Sequence, residues 1–156
     1  MNLKRRIFMK GTLAAGAVGV AVGAGLLSPR TVLAAWPEAA FKAKTVDEAL
    51  EGIVGSTQTA ESGDIKIKAP DIAENGAVVP VTVSATLAGV SSISILAEKN
   101  PVPLTSSYEL PEGTEAYIST RIKMGKTGNV VAVVKADGKL YSTKKEVKVT
   151  IGGCGG

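Results

Sequence analysis

Residues 130–151 read VVAVVKADGKLYSTKKEVKVTI. Val130, Ala132, Val134 and Ala136 alternate with a second row of residues, and the same two-residue period resumes after Asp137-Gly138-Lys139. A period of two places one row of side chains on each face of a strand, and Asp-Gly favours the tight turn that joins two antiparallel strands. The stretch therefore predicts a β-hairpin, and it sets the period to look for elsewhere.

The same period recurs upstream. Ile65 and Ile67 alternate with Lys66 and Lys68, Val79, Val81, Val83, Ala85 and Leu87 share one face, and Ile93, Ile95 and Ala97 mark a further strand. Residues 104–110 read as a short extended crossover and residues 116–124 as another strand, antiparallel to the strand at 130–136 and joined to it by a hairpin loop, Gly125-Lys126-Thr127-Gly128-Asn129. Pro80 lacks an amide donor, which predicts that its strand lies at a sheet edge or carries a bulge. Six or seven short strands of this kind predict a mainly β fold, an immunoglobulin-like antiparallel β-sandwich.

Ahead of the strands the period lengthens. Thr45 with Glu48 has the spacing of a capping box, Val46, Leu50, Ile53 and Val54 fall on one helical face, and Gly55 can close the helix. Trp36 and Phe41 are expected to pack on the domain. The β-sandwich domain is thus expected to span residues 35–151, with a short helical N-terminal segment.

Residues 1–34 have a different character. Lys4-Arg5-Arg6-Ile7-Phe8-Met9-Lys10 precedes an apolar run rich in glycine and alanine, and Val32-Leu33-Ala34 offers the small residues of a cleavage site. This is the layout of a twin-arginine signal peptide, and it predicts export to the periplasm with cleavage after Ala34. The apolar run is near the lower limit for a membrane span, but its glycines and the site behind it favour a leader.

Charge supports that division. The chain of 156 residues has a formal net charge of +4, and Lys4, Arg5, Arg6, Lys10 and Arg30 contribute five positive charges with no acidic residue among residues 1–34. Subtracting five from four leaves about −1 for residues 35–156, which removes the long-range attraction to phosphates that a basic domain would exert. Aromatic residues make up only 4%, too few for stacking on bases to be a main activity.

The sequence contains no histidine and one cysteine. The commonest general base and the commonest metal ligand are both missing, and a single thiol makes neither a zinc site nor an internal disulfide. No catalytic residue, cofactor site or metal site is expected. Gly125-Lys126-Thr127-Gly128 lacks the spacing and the following helix of a phosphate loop. The carboxylates Asp71 with Glu74 and Glu112 with Glu115 read as solvated turn residues, and Lys66, Lys68, Lys144, Lys145 and Lys148 as the wet faces of strands.

What remains is Gly152-Gly153-Cys154-Gly155-Gly156 at the carboxyl end. Glycines leave the backbone unrestricted, and an extended stretch from Gly152 to Cys154 reaches about 10 Å. With no cation beside it to lower its pKa, the thiol needs a visiting enzyme to activate it. This pattern predicts a carrier that holds its substrate covalently on Cys154, with Gly152, Gly153, Gly155 and Gly156 as a flexible arm that fits a narrow channel.

The stretches Ile72-Ala73-Glu74-Asn75-Gly76 leading to Val79-Pro80-Val81, then Glu98-Lys99-Asn100-Pro101, Arg121-Ile122-Lys123-Met124 and the terminal Gly152-Gly153-Cys154-Gly155-Gly156, resemble the SoxY family of sulfur carriers. The resemblance runs over the whole chain and is most specific in the tail combined with the leader. It implies that thiosulfate-derived sulfur is joined oxidatively to Cys154 by a haem enzyme, SoxAX, and that the hydrolase SoxB then releases sulfate. It also implies that a SoxCD-like enzyme oxidises the remaining sulfane, and that a SoxZ-like β-sandwich subunit forms a heterodimer with the chain. Two other readings stand beside it: a structural periplasmic β-sandwich, and a ubiquitin-like carrier that uses its C-terminal diglycine.

Overall fold

A computed structural model describes residues 37–150. The expected leader, Trp36 and Gly152-Gly153-Cys154-Gly155-Gly156 lie outside the described residues. Two helices come first, α1 (Glu38–Lys42) and α2 (Val46–Val54). Nine strands follow: β1 (Ala60–Glu61), β2 (Ile65–Lys68), β3 (Ile72–Ala73), β4 (Val79–Ala85), β5 (Val90–Ala97), β6 (Leu104–Glu109), β7 (Tyr117–Ile122), β8 (Gly128–Ala136) and β9 (Lys139–Val149).

The hairpin that opens the reading is present as expected. Ala136 pairs with Lys139 across a two-residue turn, and Asp137 and Gly138 both have positive φ, 48° and 74°. That is the conformation of the tight turn whose twist matches antiparallel strands, and glycine reaches it without strain.

The strands form two sheets, β1-β9-β8-β5-β6 and β2-β4-β7. β1 and β3 both lie parallel to β9, pairing with Tyr141 and Ser142 and with Lys148 and Val149. Ile93, Ile95, Ala97, Val130, Ala132, Val134 and Val147 from the larger sheet pack against Ile65, Val79, Val81, Val83 and Ile122 from the smaller one. Each of these side chains leaves water almost completely, worth about 1.5–3 kcal/mol for a fully buried Val or Ile. This is the expected sandwich.

The helices add a third layer. Leu96, Leu104 and Val133, on the outer face of the larger sheet, are covered by Ala40, Ala43, Ala49 and Leu50, with Phe41 packed against them. β5 is therefore buried on both faces, and its Ser94 hydroxyl finds a partner on β6: Ser94 Oγ lies 2.9 Å from Ser107 Oγ. α2 is capped as expected, with Glu48 N donating to Thr45 Oγ1 at 3.2 Å and Gly55 left-handed at φ 71°. Glu48 accepts from Lys44 N, one residue before the partner of a regular capping box. Replacing Thr45 with Ala is expected to cost about 1 kcal/mol, measurable as a lower midpoint in urea with an unchanged m-value.

Four local expectations differ from the structure. Residues 104–109 form an edge strand paired with β5 instead of a crossover. β7 and β8 belong to different sheets, so the loop through Gly125 crosses between sheets and does not close a hairpin. β4 is the central strand of its sheet, yet β2 pairs with it only over Thr82 to Ala85. Pro80 therefore faces a partner on the β7 side alone, at Arg121, and a missing donor is tolerated there. Lys145 is half-buried, with Nζ donating to Ala69 O at 2.7 Å and paired with Asp71 at 3.1 Å. It closes the seam beside β2 instead of lining a wet face.

Candidate functional site

The last described residues of β9 are the root from which the Cys154 arm departs. On one edge, Lys148 N donates to Asp71 O at 2.9 Å and Thr150 N to Ala73 O at 3.1 Å. On the other edge β8 pairs no further than Gly128 with Val147. A side chain takes over beyond that point: Thr127 Oγ1 accepts from Val149 N at 2.9 Å and donates to Val149 O at 3.3 Å. The hydroxyl thus serves as both donor and acceptor of a missing ladder residue. Thr127 belongs to the Gly-Lys-Thr-Gly stretch that reads in sequence as an ordinary loop, and no local pattern announces its partner.

Three loops brace this root from beneath. Met124 N donates to Gly76 O at 2.7 Å, and Gly76 is tightly enclosed, since a Cβ there would lie 2.3 Å from Met124 O and 2.7 Å from Val149 Cγ1. Asn100 donates through Nδ2 to Lys123 O at 2.7 Å and accepts from Gly125 N at 2.9 Å. Asn75 Oδ1 accepts from Ala77 N at 2.9 Å and holds the turn before β4. Segments 72–76, 98–101 and 121–124 are far apart in sequence, and the fold gathers them at one end of the sandwich.

The electrostatics of that end are simple. Asn129 Nδ2 donates to Glu98 Oε2 at 2.8 Å, and Lys99 Nζ lies 3.1 Å from Glu98 Oε1. The Asn129 hydrogen bond, and after it Lys99, holds the Glu98 carboxyl below the usual carboxylate range. A carboxyl depressed in the folded state contributes stability that is complete above its unfolded value, near about 4.3, and lost as pH falls through the lower folded value. Wild type is thus expected to exceed Glu98→Gln in thermal stability at neutral pH and to lose that margin below about pH 4. The margin is small, because the side chain is partly solvated.

Among the described residues no group of His, Cys, Asp and Glu is placed to hold a metal ion. Asp71 is engaged by Lys145, and Glu112 and Glu115 are exposed in the turn before β7. Cys154, Gly152, Gly153, Gly155 and Gly156, the expected attachment site and arm, are outside the described residues.

The model of the sulfur oxidation protein SoxY matches residues 50–154, a span that ends on Cys154. This chain belongs to the SoxY family. The structure of the sulfur carrier protein SoxY from Chlorobium limicola f thiosulfatophilum is 46% identical, with a TM-score of 0.63 over 69% of this chain and 97% of that one. Superoxide reductase (neelaredoxin) from Ignicoccus hospitalis is 21% identical, with a TM-score of 0.49 over 55% of this chain and 80% of that one. Nothing in the functional reading rests on that second likeness. No curated protein matches the chain. SoxY membership covers every segment gathered at the arm root, from Gly76 to Val149.

Proposed function

We propose that this chain is a periplasmic sulfur carrier that holds thiosulfate-derived sulfur on Cys154 and presents it to partner enzymes, without being an enzyme itself. The observation that carries this reading is the family match through residue 154, joined to 46% identity with a SoxY described as a sulfur carrier. The twin-arginine layout of residues 1–34 supports export to the periplasm.

The architecture suits such a task. β9 is held on both edges up to Val149 and Thr150, and Cys154 follows Thr150 by four residues, a reach of at most about 14 Å. A rigid root with a short glycine arm confines the thiol to a small volume at one end of the domain, which raises its effective concentration at a docked active site. The two-sheet sandwich also differs from the β-grasp fold on which the ubiquitin-like alternative rests.

In the proposed cycle the Cys154 thiolate and thiosulfate join through a new S–S bond, and two electrons pass to a haem partner of the SoxAX kind. Water then attacks the terminal sulfonate sulfur in a SoxB-like hydrolase. Sulfate leaves, and a persulfide remains on Cys154 for a SoxCD-like enzyme to oxidise. A SoxZ-like sandwich subunit is the proposed stable partner. β4, central in its sheet, is not the edge it would use; among the described residues β2 and β7 border the smaller sheet, and β6 on one side with β1 and β3 on the other border the larger one.

The test is the intact mass of the protein recovered from cells respiring on thiosulfate. Adducts of sulfane, sulfonate or thiosulfonate that map to Cys154 are the expected result. An unmodified thiol under those conditions would sink the proposal.

A further inference from the structure

The two sheets are covered unequally. Ala40, Ala43, Ala49 and Leu50 of the helical layer lie over the outer face of the larger sheet. The outer face of the smaller sheet, β2-β4-β7, has no such cover, and Lys66, Lys68, Pro80, Tyr117, Ser119 and Arg121 stand exposed on it.

Strand register fixes how this face is built. Ile65, Val79, Val81, Val83 and Ile122 point into the core, so the residues that alternate with them point out. Lys66 stands beside Ser84 and Ser84 beside Tyr117, Lys68 beside Thr82 and Thr82 beside Ser119, and Pro80 beside Arg121. β4 thus lays a floor of short neutral side chains, with Thr82 Oγ1 3.2 Å from Ser119 Oγ. Cations flank that floor, Lys66 and Lys68 on one margin and Arg121 on the other. Lys123 and Val78, both exposed, follow the Ile122–Val79 pair at the end nearest the arm root.

No Asp or Glu occurs in β2, β4 or β7; Asp64, Glu74 and Glu115 lie in the segments that precede them. None of the four cations forms an ion pair among the described residues. Residues 35–156 carry about −1 in all, so four cations on one face leave about −5 elsewhere. A body of that polarity gains little from a uniformly anionic membrane, whereas an acidic patch the size of this face attracts it in one orientation. Size decides what kind of contact this is. Three strands of about seven residues offer roughly 15 Å by 23 Å, about 350 Å², under half of the roughly 800 Å² that each partner gives to a stable interface. The face therefore suits a visiting enzyme better than a permanent subunit.

We propose that the outer face of β2-β4-β7 is a transient docking surface for an acidic patch on the enzymes that receive the Cys154 arm, with Lys66, Lys68, Arg121 and Lys123 supplying the attraction. The identity of the partner rests on the carrier reading above. The face also lies where such a partner needs it. Lys123 O accepts from Asn100 Nδ2, and Met124 N donates to Gly76 O, so the cationic margin of β7 ends on the segments that brace the arm root. Docking there orients the domain before the arm enters a channel, and it releases readily because the contact is small.

The experiment loads the protein with tetrathionate: the Cys154 thiolate attacks a sulfane sulfur, the central S–S bond breaks, thiosulfate leaves, and a thiosulfonate stays on the chain. The SoxB-like hydrolase of the same cells is then added, and sulfate release is followed from low to high sodium chloride. Lys66→Glu with Lys68→Glu, and separately Arg121→Glu with Lys123→Glu, are each expected to lower kcat/KM about fivefold or more at low salt. The loss is expected in KM with kcat unchanged, and the gap to wild type is expected to close as salt rises. Lys42→Glu with Lys44→Glu, on the helical layer, makes the same change in net charge and is expected to leave kcat/KM near wild type. Equal kcat/KM in wild type and both face variants, or an equal loss in the helical control, would overturn the docking surface and leave the carrier reading standing. Wild-type protein that co-sediments with phosphatidylglycerol vesicles, while the face variants do not, would reassign the face to a membrane and overturn the proposal too. No sulfate from loaded wild type would instead sink the carrier reading, and the docking surface with it.

Discussion

Protein carrying Cys154→Ser is expected to gain no sulfur adduct at all under conditions that load wild type, and cells relying on it are expected to lose thiosulfate-dependent respiration. The loss is complete because the chain offers no other thiol. A serine hydroxyl does not ionise near neutral pH and forms no S–O counterpart of the S–S bond on which oxidative attachment depends. Stability should be unchanged within about 0.5 kcal/mol, since the buried core between the sheets is built from residues between Ile65 and Val147. Intact mass and thermal unfolding on the same preparation check both halves. Respiration that persists in the Ser variant would count decisively against covalent carriage on Cys154.

Gly76→Ala is expected to produce the largest loss of stability among conservative substitutions at the arm end, about 2–4 kcal/mol. The added methyl has nowhere to go, with Met124 O at 2.3 Å and Val149 Cγ1 at 2.7 Å from its ideal position. Relief requires the 124–125 segment or β9 to move. Movement of the first breaks the Met124 N to Gly76 O hydrogen bond, and movement of the second shifts the anchored root of the arm. Gly113→Ala is the control: it has φ 80° and nothing within 4 Å, so it bears backbone strain of about 1–2 kcal/mol without a clash. Urea unfolding gives the energies, and hydrogen exchange at the Val149 amide reports the root. Equal stability of the two variants, with exchange at Val149 unchanged, would remove the bracing role assigned to Gly76.

The features that sequence reading recovered are those governed by neighbours along the chain. Thr45 and Gly55 bound α2 because capping groups act within three or four residues. Asp137-Gly138 makes the β8–β9 hairpin because the turn's own φ angles select it. Alternation also placed the core-facing rows of β4, β5 and β8 correctly. It was misleading at residues 104–109, where serines replace apolar residues, because Ser94 and Ser107 satisfy each other and make a polar strand affordable beneath the helices.

Period-two patterning says which face a residue occupies and nothing about which strand lies beside it. That is why the separation of β7 from β8, the central place of β4 and the helical third layer were not legible. The same limit governs the site. The unique thiol among glycines, the absence of histidine and the leader pattern are properties of the chain itself, and they determined the kind of chemistry to expect without reference to any contact. The bracing of the arm root depends on Thr127, Gly76 and Asn100 meeting residues from 22 to 73 positions away. A hydroxyl or an amide carries no mark of its distant partner in sequence, so only the tertiary structure decided what each of them holds.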